Sequence, residues 1–204
     1  MLPIVGAVFS LFWYLAGLAL EILPPVLRGF FMMLFTLALT GGLHLDGLMD
    51  TCDAIFSRRD RETRLAILSD THAGSFAVMG CVAVMLGKTL LFAELKGPVF
   101  LVPLWSRLGM AFLMNSLPFA KPGGLAVMLG ASRRKGDNAI FAVMMVLLAA
   151  LSTKAMTLAF LVCLAAWRKV CLNVFGGITG DLLGAFVEVS EAVMMAGMVI
   201  AECT

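Results

Sequence analysis

Long windows with one charged residue or none recur along most of this 204-residue chain. Apolar stretches of about 20 residues are long enough to cross the bilayer core as helices. The composition agrees, because 61% of the residues are hydrophobic, 14% are charged and the mean hydropathy is +1.01. Soluble domains usually carry about 25% charged residues. The sequence therefore predicts an all-α, polytopic transmembrane helical bundle that forms a single integral-membrane domain over residues 1–204.

Charged and turn-forming residues divide the chain into apolar segments, which predict about 6–7 spans. The expected segments are 2–20, 26–40, 74–95, 98–117, 139–151, 155–175 and 182–201. The first lacks the basic region of a signal peptide and is interpreted as a span. The segment at 139–151 is short for a bilayer about 30 Å thick. The arginine-rich run at 58–64 is too charged for lipid, and Leu65, Ile67 and Leu68 predict a short amphipathic surface helix there.

The distribution of basic residues predicts the orientation. With seven spans, one side of the membrane receives Arg58, Arg59, Arg61, Arg64, Lys121, Arg133, Arg134, Lys135, Arg168 and Lys169. The other side receives Arg28, Lys96 and Lys154, with Lys88 near it. Since cytoplasmic loops carry the excess of Lys and Arg, the richer side is expected to face the cytoplasm.

An acidic motif at residues 40–57 reads T-G-G-L-H-L-D-G-L-M-D-T-C-D-A-I-F-S. If the part after Gly42 is helical, Asp46, Asp50 and Asp53 share one face at i, i+4 and i+7. Like charges at this spacing repel each other, and a bound divalent cation would offset the repulsion. Magnesium prefers oxygen ligands, usually one or two carboxylates with substrate phosphates and water. The motif predicts a magnesium site, with a solvated acidic face as the alternative.

A second motif at residues 176–191 repeats the pattern of the first. Aligned on the glycine pairs, Asp181 matches Asp46 and Glu188 matches Asp53. Four predicted spans separate the motifs, which returns both to the same side, and we expect the two sites to meet. Carboxylates within a lipid-length segment usually face the bundle interior or a polar cavity. The alternative is that these acids mark a helix start, where the helix dipole favours negative charge.

The glycine pairs Gly41-Gly42 and Gly176-Gly177 allow backbone geometries that are closed to other residues. They are expected to break helices, and the N–H groups of the helix that follows each pair are candidates for binding phosphate. A helix break at each pair and phosphate binding by the helix that follows it are compatible with each other.

Two further polar residues are candidates for the site. Arg107 lies in mid-span, where an arginine needs a partner, and a carboxylate of the site or a substrate phosphate would serve. His44 is a candidate general base or an interfacial hydrogen bonder. On a helix it lies on the side opposite Asp53, so a carboxylate is favoured as the base.

The motif at 40–57, the arginine-rich helix with Asp70, and G-G-I-T-G-D-L-L-G-A at 176–185 resemble the cobalamin synthase family. These enzymes are also called adenosylcobinamide-GDP ribazoletransferases or cobalamin-5′-phosphate synthases. The resemblance covers nearly the whole chain from Leu2. It implies a magnesium-dependent, multi-pass enzyme of the bacterial inner membrane whose site faces the cytoplasm. The implied reaction joins adenosylcobinamide-GDP to α-ribazole or its 5′-phosphate and releases GMP, late in vitamin B12 nucleotide-loop assembly.

The resemblance implies that Asp46, Asp50 and Asp53 bind magnesium and the diphosphate, with Asp181 and Glu188 completing the site. The implied partners are the corrinoid-GDP and α-ribazole substrates and membrane lipid, with no nucleic acid. A homo-oligomer and a complex with other nucleotide-loop enzymes both stay open.

The chain departs from the family pattern in two places. Family members usually carry further residues before the segment that begins here at Leu2, so the N-terminus is expected to be shortened. His72 stands where the family commonly has an arginine, which would offer phosphate a bidentate contact that histidine does not match.

Two other functions compete with this interpretation. CDP-alcohol phosphotransferases also hold magnesium with spaced aspartates, but their D-G-x-x-A-R pattern is not met after Asp46-Gly47. A magnesium or proton-coupled transporter would place its acids near the membrane midplane, whereas these cluster at one face beside basic loops.

Overall fold

The computed structural model describes residues 2–94, 98–130 and 136–203. These residues form helices and no strand, apart from an isolated bridge between Phe119 and Ile178. Besides the α-helices, a 3₁₀-helix covers Val99–Leu101 and a π-helix covers Cys171–Phe175. The helices are α1 (Leu2–Ala19), α2 (Pro25–Thr40), α3 (Leu43–Phe56), α4 (Arg61–Ile67), α5 (Ser75–Glu94), α6 (Val102–Ser116), α7 (Gly124–Gly130), α8 (Asp137–Leu151), α9 (Lys154–Val170) and α10 (Gly180–Glu202). The predicted all-α class is confirmed.

Within the described residues, five helical stretches are long and apolar enough to cross a bilayer: Leu2–Ala19, Ser75–Glu94, Val99–Ser116, Lys154–Phe175 and Gly180–Glu202. A sixth crossing results if α2 and α3, which meet at an angle of 92°, form one broken span. All seven predicted segments are helical, but α2 and α8 have only 16 and 15 residues. Both are shorter than the roughly 20 residues that a straight span needs.

The break between α2 and α3 is built by Gly41 and Gly42, whose φ angles are 60° and 78°. Positive φ angles of this kind are readily adopted by glycine and rarely by other residues. The N–H groups of the pair bond back to the carbonyls of Ala38 and Leu37, which closes the end of α2. The predicted helix break is confirmed, and it turns α3 onto α5 and α10.

Helix α10 forms the centre of the bundle and packs against α3, α5, α6 and α9. An aromatic row joins three of these helices, with ring centroids 4.6 Å apart for Trp105 and Phe160 and 6.3 Å apart for Phe160 and Phe186. Gly109 makes room for the row, because a Cβ there would lie 2.8 Å from both phenylalanine rings. By contrast, α1 and α8 expose large apolar side chains, as expected for helices that face lipid.

The short amphipathic helix predicted after the first motif is α4. Asp60 caps its N-terminus by accepting a hydrogen bond of 3.0 Å from the Thr63 N–H and one of 2.8 Å from the Thr63 hydroxyl. These bonds, the backbone one first, lower the pKa of Asp60. Near its C-terminal end, Lys121 donates a hydrogen bond of 2.7 Å to Ser69, so the loop after α6 meets the segment after α4. Four of the basic residues used to predict the orientation lie outside the described residues: Lys96, Arg133, Arg134 and Lys135.

Candidate functional site

The two acidic motifs meet where α3 crosses α10. A Cβ on Gly47 would lie 2.7 Å from the Asp181 carbonyl oxygen, and one on Gly184 would lie 3.2 Å from the His44 Cα. The absence of side chains at these two glycines lets the helix backbones approach closely. The expectation that the two sites come together is therefore confirmed, and it places Asp46 and Asp181 on the wall of one cavity.

This cavity, here called the apolar cavity, has a volume of about 350 Å³. Most of its wall comes from apolar side chains of α6, α7, α10 and the loops beside them, including Leu68, Met110, Phe119, Val127 and Leu183. Its polar groups are His44, Asp46, Ser69, Lys121, Thr179 and Asp181. A largely apolar wall with a few convergent polar groups is the usual composition of a small-molecule site.

A second cavity of about 310 Å³, here called the acidic cavity, adjoins the first. Its wall carries three carboxylates, those of Asp46, Asp50 and Asp70. Asp46, Leu68 and Ser69 line both cavities. The carboxylate of Asp46 therefore stands at the boundary between an apolar and an acidic compartment.

Electrostatic repulsion concentrates around Asp50. Its carboxylate lies within range of the negative charges of Asp46, Asp181 and Asp53, and Lys121 supplies an opposing positive charge. Such a cluster favours binding of a cation, because an added positive charge relieves the repulsion. The first and second motifs thus contribute to a single negative field.

At the acidic cavity, Asp70 pairs with His72. Its Oδ1 lies 2.7 Å from Nδ1 of His72 and accepts a hydrogen bond of 3.0 Å from the His72 N–H. The side-chain contact, followed by the backbone bond, lowers the pKa of Asp70. The exposed pair keeps Asp70 ionised.

Asp53 is engaged away from both cavities. One of its oxygens accepts a hydrogen bond of 2.6 Å from the Gly74 N–H, and the other accepts one of 2.9 Å from the Ala77 N–H. The carboxylate thus binds the otherwise unpaired N–H groups at the start of α5. The i+7 spacing identified the shared helix face, but Asp53 is not among the residues that line the apolar cavity or the acidic cavity.

The described part of the chain contains no group of three or more His, Cys, Asp or Glu side chains close enough to hold a metal ion. It does present Asp46 and Asp50 on the wall of the acidic cavity, one helical turn apart. Because magnesium in nucleotide sites commonly takes one or two carboxylates and completes its shell with phosphates and water, this pair fits an ion that arrives with a diphosphate substrate.

Glu188 lies in a buried ionic network rather than at either cavity. Lys88 Nζ lies 2.9 Å from the Glu188 carboxylate and 2.7 Å from that of Glu191. Glu191 also accepts hydrogen bonds from Arg107 and, at 3.0 Å, from the Ser106 hydroxyl. Arg107, the arginine in mid-span, therefore pairs with the carboxylate of Glu191. A carboxylate was one of the two partners expected for it. Lys88 was not among the predicted site residues, although a lone lysine in a predicted span is a signal for a buried ion pair.

His44 stands between the apolar cavity and the ionic network. It lines the cavity, and the charges of Arg107, Glu191 and Lys88 act on its ring. Nδ1 is buried and has no hydrogen-bond partner within the described structure. The ring is thus placed beside the site without being held by a carboxylate.

The second glycine pair shapes the backbone beside the cavities. Gly176 has a φ of 70°, and a Cβ there would overlap the Arg61 guanidinium. A Cβ on Gly177 would lie 2.8 Å from the Ala120 nitrogen. Neither glycine pair is among the residues that line the two cavities, so binding of phosphate by the N–H groups after each pair stays a prediction.

The sequence is similar to known proteins along nearly its whole length. The family model described as cobalamin-5-phosphate synthase matches residues 1–199. An adenosylcobinamide-GDP ribazoletransferase of Clostridium botulinum is 32% identical over 93% of this chain and 81% of the relative. The enzyme of that name from Pseudomonas aeruginosa is 35% identical over 97% of this chain and 84% of the relative. The enzyme of that name from Synechococcus elongatus is 32% identical over 98% of this chain and 85% of the relative.

No solved structure matches the chain. The family match spans both acidic motifs and the helices that bring them together. This chain belongs to the cobalamin-5-phosphate synthase family.

Proposed function

We propose that this chain joins adenosylcobinamide-GDP to α-ribazole or its 5′-phosphate and releases GMP. The observation that carries the proposal is the meeting of the two motifs, which places Asp46, Asp50 and Asp181 around two adjoining cavities. Two compartments suit a reaction that must bring two large substrates together at one phosphorus atom. Relatives at 32–35% identity carry the name of this activity.

The reaction exchanges the phosphoanhydride bond of the donor diphosphate for a phosphate ester bond to the acceptor. A hydroxyl oxygen of the acceptor bonds to the phosphorus that carries the cobinamide arm, the bond from that phosphorus to the bridging oxygen breaks, and GMP leaves with that oxygen. Asp181, on the wall of the apolar cavity, takes the proton from the hydroxyl. General-base assistance of this kind contributes about 10²–10⁴-fold. Thr179 donates a hydrogen bond of 3.2 Å to Asp181, which orients the carboxylate.

Asp46 and Asp50 are the residues that would hold magnesium together with the diphosphate. When bound there, the ion supplies neutralisation of the phosphate charge. Catalysis of phosphoryl transfer consists mainly of such positioning and charge stabilisation.

The proposed location is the bacterial inner membrane, with both cavities on the cytoplasmic side. Lys121 lines the apolar cavity and contacts the segment that follows the arginine-rich α4, and cytoplasmic loops carry the excess of basic residues. Nucleotide substrates are available on that side. The acids that a transporter would need in mid-membrane, Glu188 and Glu191, are instead paired with Lys88 and Arg107.

The test is release of GMP by the purified protein in lipid nanodiscs, given adenosylcobinamide-GDP, α-ribazole and magnesium. Asp46→Asn and Asp50→Asn should each lower the rate about 10²–10³-fold, the usual effect of removing a group that stabilises transition-state charge. Removal of magnesium with EDTA should stop the reaction, and added magnesium should restore it. Glu202→Gln, an exposed acid at the far end of α10, is the matched control and should leave the rate unchanged. Near-normal rates in both aspartate variants would contradict the proposal.

A further inference from the structure

We infer that the apolar cavity is the acceptor subsite: its apolar wall receives the flat heteroaromatic base of the acceptor nucleoside, and Lys121 receives the acceptor's 5′-phosphate. This inference rests on the proposed function, because it assigns one of the two substrates of that reaction to one of the two cavities. The donor diphosphate then binds in the acidic cavity.

The two cavities differ in chemistry, and so do the two substrates. The acidic cavity carries Asp46, Asp50 and Asp70, which suits a metal-bound diphosphate and not an apolar ring. The other cavity has Met110, Phe119 and Leu183 on its wall, and rings and thioethers pack favourably on aromatic bases. Its volume of about 350 Å³ is at the lower end of the range of small-molecule sites. A nucleoside is a ligand of that class, whereas an intact corrinoid is far larger.

The backbone fixes the apolar wall before any ligand binds. The Ala120 N–H donates a hydrogen bond of 2.9 Å to the Ile178 carbonyl, and the Ile178 N–H donates one of 2.9 Å to the Pro118 carbonyl. This bridge ties the loop after α6 to the second motif and holds Phe119 and Lys121 at the cavity. A pre-formed site lowers the entropy that must be lost when a ligand binds.

Lys121 is available for an anionic ligand. It lines the apolar cavity and donates a hydrogen bond of 2.7 Å to the Ser69 hydroxyl. None of the salt bridges in the described structure involves Lys121. A half-exposed ammonium with a neutral partner can bind a phosphate without breaking an ion pair. Ser69 lines both cavities, so the phosphate would sit near their boundary.

The hydroxyl of the acceptor is placed by the same arrangement. With the base against the apolar wall and the phosphate on Lys121, the ribose lies toward Asp46 and Asp181, the two carboxylates of this cavity. One of them, Asp46, also faces the acidic cavity, where the donor diphosphate binds. The nucleophile and the reacting phosphorus therefore meet at the boundary.

The test compares variants by the KM for each substrate in the GMP-release assay. Lys121→Met should raise the KM for α-ribazole 5′-phosphate about 10- to 100-fold, the loss expected for a charge-assisted contact. The KM for unphosphorylated α-ribazole and for the donor should change less than about twofold. Val127→Phe, which fills the cavity from α7, should raise the KM for both acceptors at least tenfold and leave that for the donor unchanged. Lys154→Met, an exposed lysine outside both cavities, is the control.

A second readout uses binding without turnover. α-Ribazole added without donor and without magnesium should raise the melting temperature of the wild-type protein, and Val127→Phe should abolish this shift. Loss of donor affinity in Lys121→Met, or unchanged acceptor KM and melting shift in Val127→Phe, would overturn the assignment. If the wild-type protein binds α-ribazole but releases no GMP, the proposed function fails while the subsite stands. If Val127→Phe does not fold, Lys121→Met decides the question alone.

Discussion

Replacing Lys88 with methionine tests the buried ionic network. The Lys88 ammonium lies within 2.9 Å of Glu188 and 2.7 Å of Glu191, and none of the three side chains is more than 3% exposed. In Lys88→Met, Glu191 keeps Arg107 and Ser106, whereas Glu188 loses Lys88, its ion-pair partner within the described structure. Removing one partner of a buried pair costs about 3–5 kcal/mol, because a buried charge is left uncompensated.

This loss should appear as a lower melting temperature in detergent or nanodiscs. For a chain of this size, 1 kcal/mol corresponds to roughly 2–4 °C, so we expect a decrease of roughly 6–20 °C. The double variant Lys88→Met/Glu188→Gln removes both opposite charges and should recover most of the decrease. Lys154→Met, at an exposed position, should change the free energy of unfolding by less than about 0.5 kcal/mol. A Lys88→Met protein that melts with the wild type, or no recovery in the double variant, would refute the charge-balance reasoning.

Two further predictions concern how α3 is held. Gly47→Ala places a methyl group 2.7 Å from the Asp181 carbonyl oxygen. Because α3 and α10 must then move apart, this variant should release GMP at least tenfold more slowly and be less stable by about 1–3 kcal/mol. Gly87→Ala, at a glycine with open space around it, should do neither. Asp53→Ala should destabilise the protein by about 0.5–2 kcal/mol through loss of the α5 cap. Asp53→Asn, which keeps a cap oxygen, should retain turnover within about tenfold, and a loss equal to that of an Asp46→Asn protein would show that Asp53 binds the metal after all.

Hydropathy predicted the long apolar helices, because apolar length is a local property, but it did not predict α7. The number of spans between the two motifs predicted that they lie on the same side. The short helix α4 and the break at Gly41 and Gly42 were likewise readable from charge and glycine content. The spacing of Asp46 and Asp50 identified a shared helix face, and both line the acidic cavity.

The partners of individual side chains could not be predicted in this way. Asp53 caps α5 through the N–H of Gly74, which lies 21 residues later, and Glu188 pairs with a lysine 100 residues away. Helical periodicity gives the face on which a residue lies but not the neighbour that it meets. Lys121 is held near the site by a backbone bridge between Phe119 and Ile178, for which the sequence carries no periodic signal.

The central claim is that Asp46 on α3 and Asp181 on α10 act in one site, and a double-mutant cycle on GMP release tests it most directly. Residues that act together give non-additive losses. We predict that Asp46→Asn/Asp181→Asn loses no more activity than the more impaired of the two single variants. Losses that multiply in the double variant would show that the two carboxylates act independently and would contradict the account.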